Sequence, residues 1–458
     1  MAPGWSSLLI LLATAVAAVV IVWEVRQVLR RGEWDRDTTL AFVVTVLATS
    51  VIDVAVTYTD HWVKLTDAFG NAVTTIPGWA YQTQVVMYVL VAVGGAGVFL
   101  VRLSRPGATI NVPALLLLLA VLVGHASAVL HGDVPLRPFE LILLAVLVGT
   151  LAAPSGRSVH VGFGIFWACG AVAAGLAAVA QRDYSTFACA ADKCGILGFN
   201  FRGWLDNENA ISMDLTLAMP FVYLCFGRRS GTLLSTYLLF LVLISGSRTG
   251  AVAAVATYVL LVLARPDIRR PEFSRPRATL LYGTLAVTAA VGLVLPFVTQ
   301  NPAAFTHRGY IWALARESLS TPWAWILGSG SQAWEHVRQK GLIDFSAVYS
   351  VHNLWLQMLY SGGLVALALL IGAFVLLVVR AGRRYSLVVG SVLAPVFLLA
   401  MTEAPWPTGV VNWLVWAVPG ALLCYPADRN APQGQPPADA ATDDGSMLSG
   451  APGSGETS

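Results

Sequence analysis

Charge is what this chain has least of. Only 12% of its 458 residues are Asp, Glu, Lys or Arg, against 57% hydrophobic ones, and the mean hydropathy is +0.70. So few charges exclude a soluble multidomain protein. The formal net charge of +3 is a by-product of topology and argues nothing for nucleic acid. Cysteine is scarce too, at five residues. Cys169, Cys225 and Cys424 fall in or near apolar runs and read as small packing residues. Cys189 and Cys194 stand together in a polar stretch and suit a loop-closing disulfide in an oxidising compartment. A metal suits them less, because no His or second Cys pair accompanies them. No basic residue precedes the first apolar run, unlike a cleaved signal peptide. No internal repeat is visible.

What is present is long, continuous apolar sequence. Each spanning helix needs about 20 such residues, and only helices or closed barrels satisfy backbone groups in lipid. The runs do not alternate, so helices are predicted. Candidate spans are 7–23, 38–57, 79–101, 112–130, 138–153, 160–180, 209–226, 231–245, 249–264, 278–298, 354–379, 385–402 and 409–425. The predicted fold is an all-α polytopic membrane protein of about 12–13 transmembrane helices. Its bundle covers 1–425, and the Pro-, Ala-, Gly- and Ser-rich tail 426–458 is predicted disordered.

Orientation follows from Lys and Arg. If loop 24–37 is cytoplasmic, so are 102–111, 154–159, 227–230, 265–277, 380–384 and the tail. That side then holds 18 of the 28 Lys and Arg residues. The positive-inside rule places the large loops 181–211 and 299–353 outside. Loop 299–353 is a polar island with one short helix over about 308–319, ended by Thr321-Pro322. Ile311, Leu314, Ala315 and Leu319 recur at helical spacing and predict a helix lying along the membrane surface. Trp312, Trp323, Trp325 and Trp334 read as an aromatic belt or as sugar-stacking faces.

The ionisable residues gather at the predicted outer edge. Arg248 sits at a turn between two spans, where a cation needs an anion or a route to the headgroups. Gly246 and Gly250 give a small-xxx-small spacing that favours close helix approach. Arg308 and Arg316, with Trp312 between them, lie near one helical face. Arginines there suit a pyrophosphate, since guanidinium binds phosphate bidentately. Arg316 pairing with Glu317 or headgroups is the plainer alternative. His352 and Asn353 open the next span, with Ser350 the predicted cap. A His at a helix N-terminus stays neutral and can accept a proton. Asp53, His125 and Asp214 are intramembrane candidates for packing or proton relay.

Three stretches together resemble the O-antigen ligase and O-antigen polymerase superfamily of membrane glycosyltransferases. The first is Phe201-Arg202-Gly203-Trp204 followed by Asp206-Asn207-Glu208-Asn209-Ala210. The second is Ser247-Arg248 after an apolar run. The third begins Arg308-Gly309-Tyr310-Ile311-Trp312, passes Pro322 and Gly328-Ser329-Gly330, and ends His352-Asn353-Leu354-Trp355-Leu356. The likeness covers roughly residues 200–365 and implies the C-type membrane glycosyltransferase architecture in the cell membrane. It implies transfer of a glycan from a polyprenyl-pyrophosphate donor to an acceptor hydroxyl at the exterior face, by a polymerase or a ligase. Carried onto matching positions, Arg248 and Arg308 would bind the pyrophosphate and His352 would be the base. Arg202, Asn209, Arg316 and Asn353 would line the substrate cavity. Neither metal nor nucleotide cofactor is implied. A secondary transporter, or a non-catalytic partner in glycan assembly, is the alternative, but transporters favour paired broken helices near the midplane.

Overall fold

The apolar runs become helices, as backbone groups in lipid demand. The computed structural model describes residues 3–48, 63–66, 72–75, 78–104, 109–133, 138–153, 155–189, 193–205, 207–341, 350–406 and 416–426. The membrane-length and shorter helices of the first half are α1 (Pro3–Arg30), α2 (Arg36–Ala48), α3 (Gly78–Leu103), α4 (Val112–Leu130), α5 (Pro138–Thr150) and α6 (Arg157–Ala180). A single turn, α7 (Arg182–Ser185), leads to α8 (Glu208–Phe226), α9 (Arg228–Ser245), α10 (Arg248–Ala264) and α11 (Arg275–Val298). The polar island forms α12 (Ala304–Ser318), α13 (Pro322–Leu327) and α14 (Ala333–Gln339), before α15 (Leu354–Ala400) and α16 (Ala417–Leu422). Two small antiparallel hairpins sit in the insertions, β1 (Val63–Thr66) with β2 (Ala72–Thr75) and β3 (Thr186–Phe187) with β4 (Asn200–Phe201).

Six helices, α1, α4, α6, α8, α11 and α15, are long and apolar enough to cross a membrane. The chain is an all-α polytopic membrane protein with fewer such helices, among the described residues, than the run count predicts. The reasons are local. Helix α5 has 13 residues and α10 has 17, short of the membrane's thickness. Runs 354–379 and 385–402 count once, as α15, although the helix breaks between them at Gly382, and again at Gly363, where φ turns positive. Runs 38–57 and 409–425 lie partly outside the described residues, as does the tail 427–458.

Burial ranks the helices. The apolar window of α8 is 89% buried, against 22% for α1 and 28% for α11. Helix α8 is therefore the axis, packed on α6, α9 and α10, while α1 and α11 turn apolar side chains such as Val19 and Val298 outward. That outward grease is what a lipid-facing surface requires.

Loops assigned to one side by charge meet at one end of the bundle. Half-buried Glu33 is shared by Arg31, Arg157 and Arg269. Ser230 donates to Glu24, Ser158 to Asp35 and Arg102 to Asp37. Arg383 lies over the ring of Phe273, and Asn111 and Gly156 donate to the carbonyls of Leu422 and Leu423. The opposite ends of α8, α10 and α11 carry the candidate site.

Candidate functional site

Two helix starts face each other here. Ser247 caps α10 by accepting the Gly250 N–H, so Arg248 and Thr249 are its first residues. Asn209 near the start of α8 steadies that cap, its Oδ1 accepting from Ser247 Oγ at 2.9 Å. Gly250 has no room for a side chain: a Cβ would stand 2.3 Å from Ser212 Oγ. The predicted close approach at Gly250 is therefore onto α8, while Gly246 ends α9 in the left-handed region.

Opposite, α12 is kinked. Phe305, Thr306 and His307 all have positive φ, so its regular part starts at Arg308. The kink turns Thr306 toward Arg248, whose Nη2 donates to Thr306 Oγ1 at 2.9 Å. Arg308 Nη1 in return donates to Thr249 Oγ1 at 3.1 Å. Each arginine thus grips the threonine beside the other.

The centre of the site is Glu403, only 3% exposed, just past the end of α15. Its Oε1 accepts from Arg308 Nη2, and its Oε2 lies 2.9 Å from His352 Nδ1. Burial pushes the Glu403 carboxyl up, but the Arg308 guanidinium and the His352 contact outweigh it and hold it below its ordinary value. An ionised carboxylate only accepts, so His352 Nδ1 carries a proton and Nε2 is the acceptor of the neutral ring. Arg308 and Glu403 offset each other's charge, and Arg248 is the exposed arginine beside them.

His352 is held in place at some cost. Its φ is +53°, a left-handed conformation that is uncommon outside glycine, though His is among the residues enriched there. Its N–H donates to Ser350 Oγ. The cap of α15 is Asn353 and not Ser350: Asn353 Oδ1 accepts from Leu356 N–H at 2.8 Å. Asn353 Nδ2 donates to the carbonyls of Gly292 and Met401, at 2.9 and 2.8 Å. Asn353 is fully buried with its side chain satisfied inside the protein, so it positions His352 and the segment carrying Glu403 rather than lining a cavity.

Other sequence candidates are placed elsewhere. Arg202 Nε donates to the Tyr184 carbonyl and braces the β3–β4 turn. Arg316 Nη1 donates to the Phe297 carbonyl, capping the C-terminal end of α11, and no ion pair joins it to Glu317 among the described contacts. Ile311, Ala315 and Leu319 are buried against the bundle, so α12 is a packed helix and not a surface-lying one. Trp312 is fully buried with Nε1 donating to the Val351 carbonyl, and Trp334 is buried, whereas Trp323 and Trp325 are exposed. His125 meets Ser331, and Asp214 accepts from Trp416 Nε1, and both side chains are buried. Asp53 and Asp206 lie outside the described residues. Cys189 and Cys194 are disulfide-bonded. Lys193 beside them pairs with Glu208, the residue before Asn209.

Sequence reasoning missed Glu403. A signal existed: it is the single acidic residue in 385–425, isolated between apolar runs. A scan against protein-family models and a search of curated proteins returned no match for this chain.

Proposed function

We propose that the chain is a membrane glycosyltransferase that moves a glycan from a polyprenyl-pyrophosphate donor to an acceptor hydroxyl at the exterior membrane face. One observation supports this most: a guanidinium and an imidazole share the two oxygens of one buried carboxylate, with Arg248 beside them. The family resemblance and the exterior placement from charge bias point the same way.

In this reading His352 Nε2 takes the proton of the acceptor hydroxyl as its oxygen bonds to the anomeric carbon. The bond from that carbon to the donor phosphate breaks, and its electron pair leaves on the pyrophosphate. Arg248 meets that charge directly, and the remaining N–H groups of Arg308 add to it. Glu403 stays ionised and faces the imidazolium, so the charge formed on His352 is balanced at once. Asn209 acts through Ser247 on the α10 start that presents Arg248. Surface polysaccharide polymerase and ligase are both transfers of this kind.

The test is complementation of a deletion strain with His352→Ala or Arg308→Ala. The expected outcome is normal protein level, lost mature surface glycan and accumulated lipid-linked precursor. Mature glycan restored by both variants would refute the assignment.

A further inference from the structure

One cleft away from the carboxylate gathers polar chemistry that the transfer step leaves unused. A cavity of about 290 Å3 is lined by His131, Asp133, Ser329, His336, Lys340 and Tyr360 among others. Each imidazole has one nitrogen committed. His131 Nδ1 lies 2.8 Å from the Ser127 carbonyl, and His336 Nε2 meets the Asp133 carboxylate. Both partners only accept, so those two nitrogens carry protons. His131 Nε2 and His336 Nδ1 remain as the second nitrogen of each ring, an acceptor whenever that ring is neutral. Lys340 adds a charged donor, and the Ser329 and Tyr360 hydroxyls can do either.

The floor of this cleft is rigid. Ser329, Gly330 and Ser331 donate their N–H groups to the carbonyls of Tyr360, Ser361 and Gly124. Gly328 and Gly330 have positive φ, and a Cβ on Gly330 would stand 2.7 Å from Ala128 Cα. The Gly-Ser-Gly motif thus seats the 328–340 segment between α4 and α15 and does not cradle a phosphate. The helix that carries Arg308 and the one that follows His352 both reach this cleft. Ser318 is ten residues beyond Arg308, about 15 Å along α12, and Tyr360 is six residues past the start of α15, about 9 Å along it.

Asp133 and Lys340 carry opposite charges, so the lining does not favour a simple ion. Among the described residues no three His, Cys, Asp or Glu side chains are placed to hold a metal. Alternating donors and acceptors around an open cleft match a ligand whose every hydroxyl does both. We infer that this cleft is a second binding site, one that holds a hydroxyl-rich segment of the acceptor glycan. The inference rests on the glycosyltransferase reading and names where its acceptor lies.

The test uses glycan from the producing cells' own surface, freed of lipid by mild acid. It is titrated into the full chain in nanodiscs with no donor present. Saturable binding is expected, weakened roughly tenfold or more by His336→Ala and by Lys340→Ala, the loss of one or two hydrogen bonds. Arg229→Ala, an exposed change at the opposite end of the bundle, should bind as the wild type does. Lys340 is exposed, so its variant keeps the fold, and an unchanged melting temperature verifies this. No saturable binding by the wild type, or binding that both cleft variants leave intact, overturns the inference. Because no transfer occurs in this experiment, its failure is separate from the outcome of complementation with His352→Ala.

Discussion

Glu403 is a carboxylate kept ionised against its own burial by two neighbours. Its pKa is held below the ordinary 4.5 by Arg308 and His352. A depressed carboxyl contributes stability that is present above the unfolded value and lost as pH falls through the folded one. Glu403→Gln removes that contribution and leaves the half-buried Arg308 without its counter-charge, a loss on the order of 3 kcal/mol at neutral pH. Melting curves of the two proteins should therefore be widely separated at pH 7 and converge as pH drops below 4.5. A gap that stays constant with pH would show that Glu403 is not ionised in the folded protein. The residue was hard to see in advance because its partners lie 95 and 51 positions away. Arg248, Arg308 and His352 stood out in the sequence as polar residues beside apolar runs. Their meeting on Glu403 depends on tertiary packing, which pattern does not carry.

At the scale of elements, Pro296 and Asn353 form one device. Pro296 lies inside α11 and has no N–H, so the Gly292 carbonyl four residues earlier loses its helical donor. Asn353 Nδ2 supplies the missing bond from the start of α15. The same amide reaches Met401, two residues before Glu403. One side chain thus ties α11, the α15 start and the Glu403 segment together. Asn353→Ala should cost about 1–3 kcal/mol, from the unpartnered buried carbonyls and the lost cap. Pro296→Ala in that background restores an N–H for Gly292 and should recover part of the loss. The same substitution in the wild type should recover nothing. Equal effects in both backgrounds would break the proposed link. Sequence reading found the helices and the short α12 because spacing and caps announce them. It misjudged the surface lie of α12, since an apolar stripe looks alike whether it meets lipid or protein.

At the scale of the whole molecule, the decisive quantity is the side on which the carboxylate cluster sits. Loops 24–37, 102–111, 154–159, 227–230 and 265–277, which carry 14 of the 28 Lys and Arg residues, are joined at one end by contacts through Glu33, Glu24, Asp35 and Asp37. Retention of cationic loops in the cytoplasm is the basis for proposing that the opposite end, with Arg248, Arg308, His352 and the polar cleft, faces outward. The proposed donor and acceptor are both exterior molecules, and a reversed orientation would leave them no access. Single cysteines test this directly, in a background where exposed Cys169 is serine. Arg229→Cys and Arg270→Cys lie at the arginine-rich end, and Ser320→Cys and Lys340→Cys at the other, all at exposed positions. On intact cells a membrane-impermeant maleimide should label positions 320 and 340 and spare 229 and 270 until the membrane is opened. The reverse pattern would place the carboxylate cluster in the cytoplasm and remove the exterior transfer reaction. Labelling from both sides at one position would instead mean mixed insertion. That outcome would also count against a charge bias strong enough to set a single orientation.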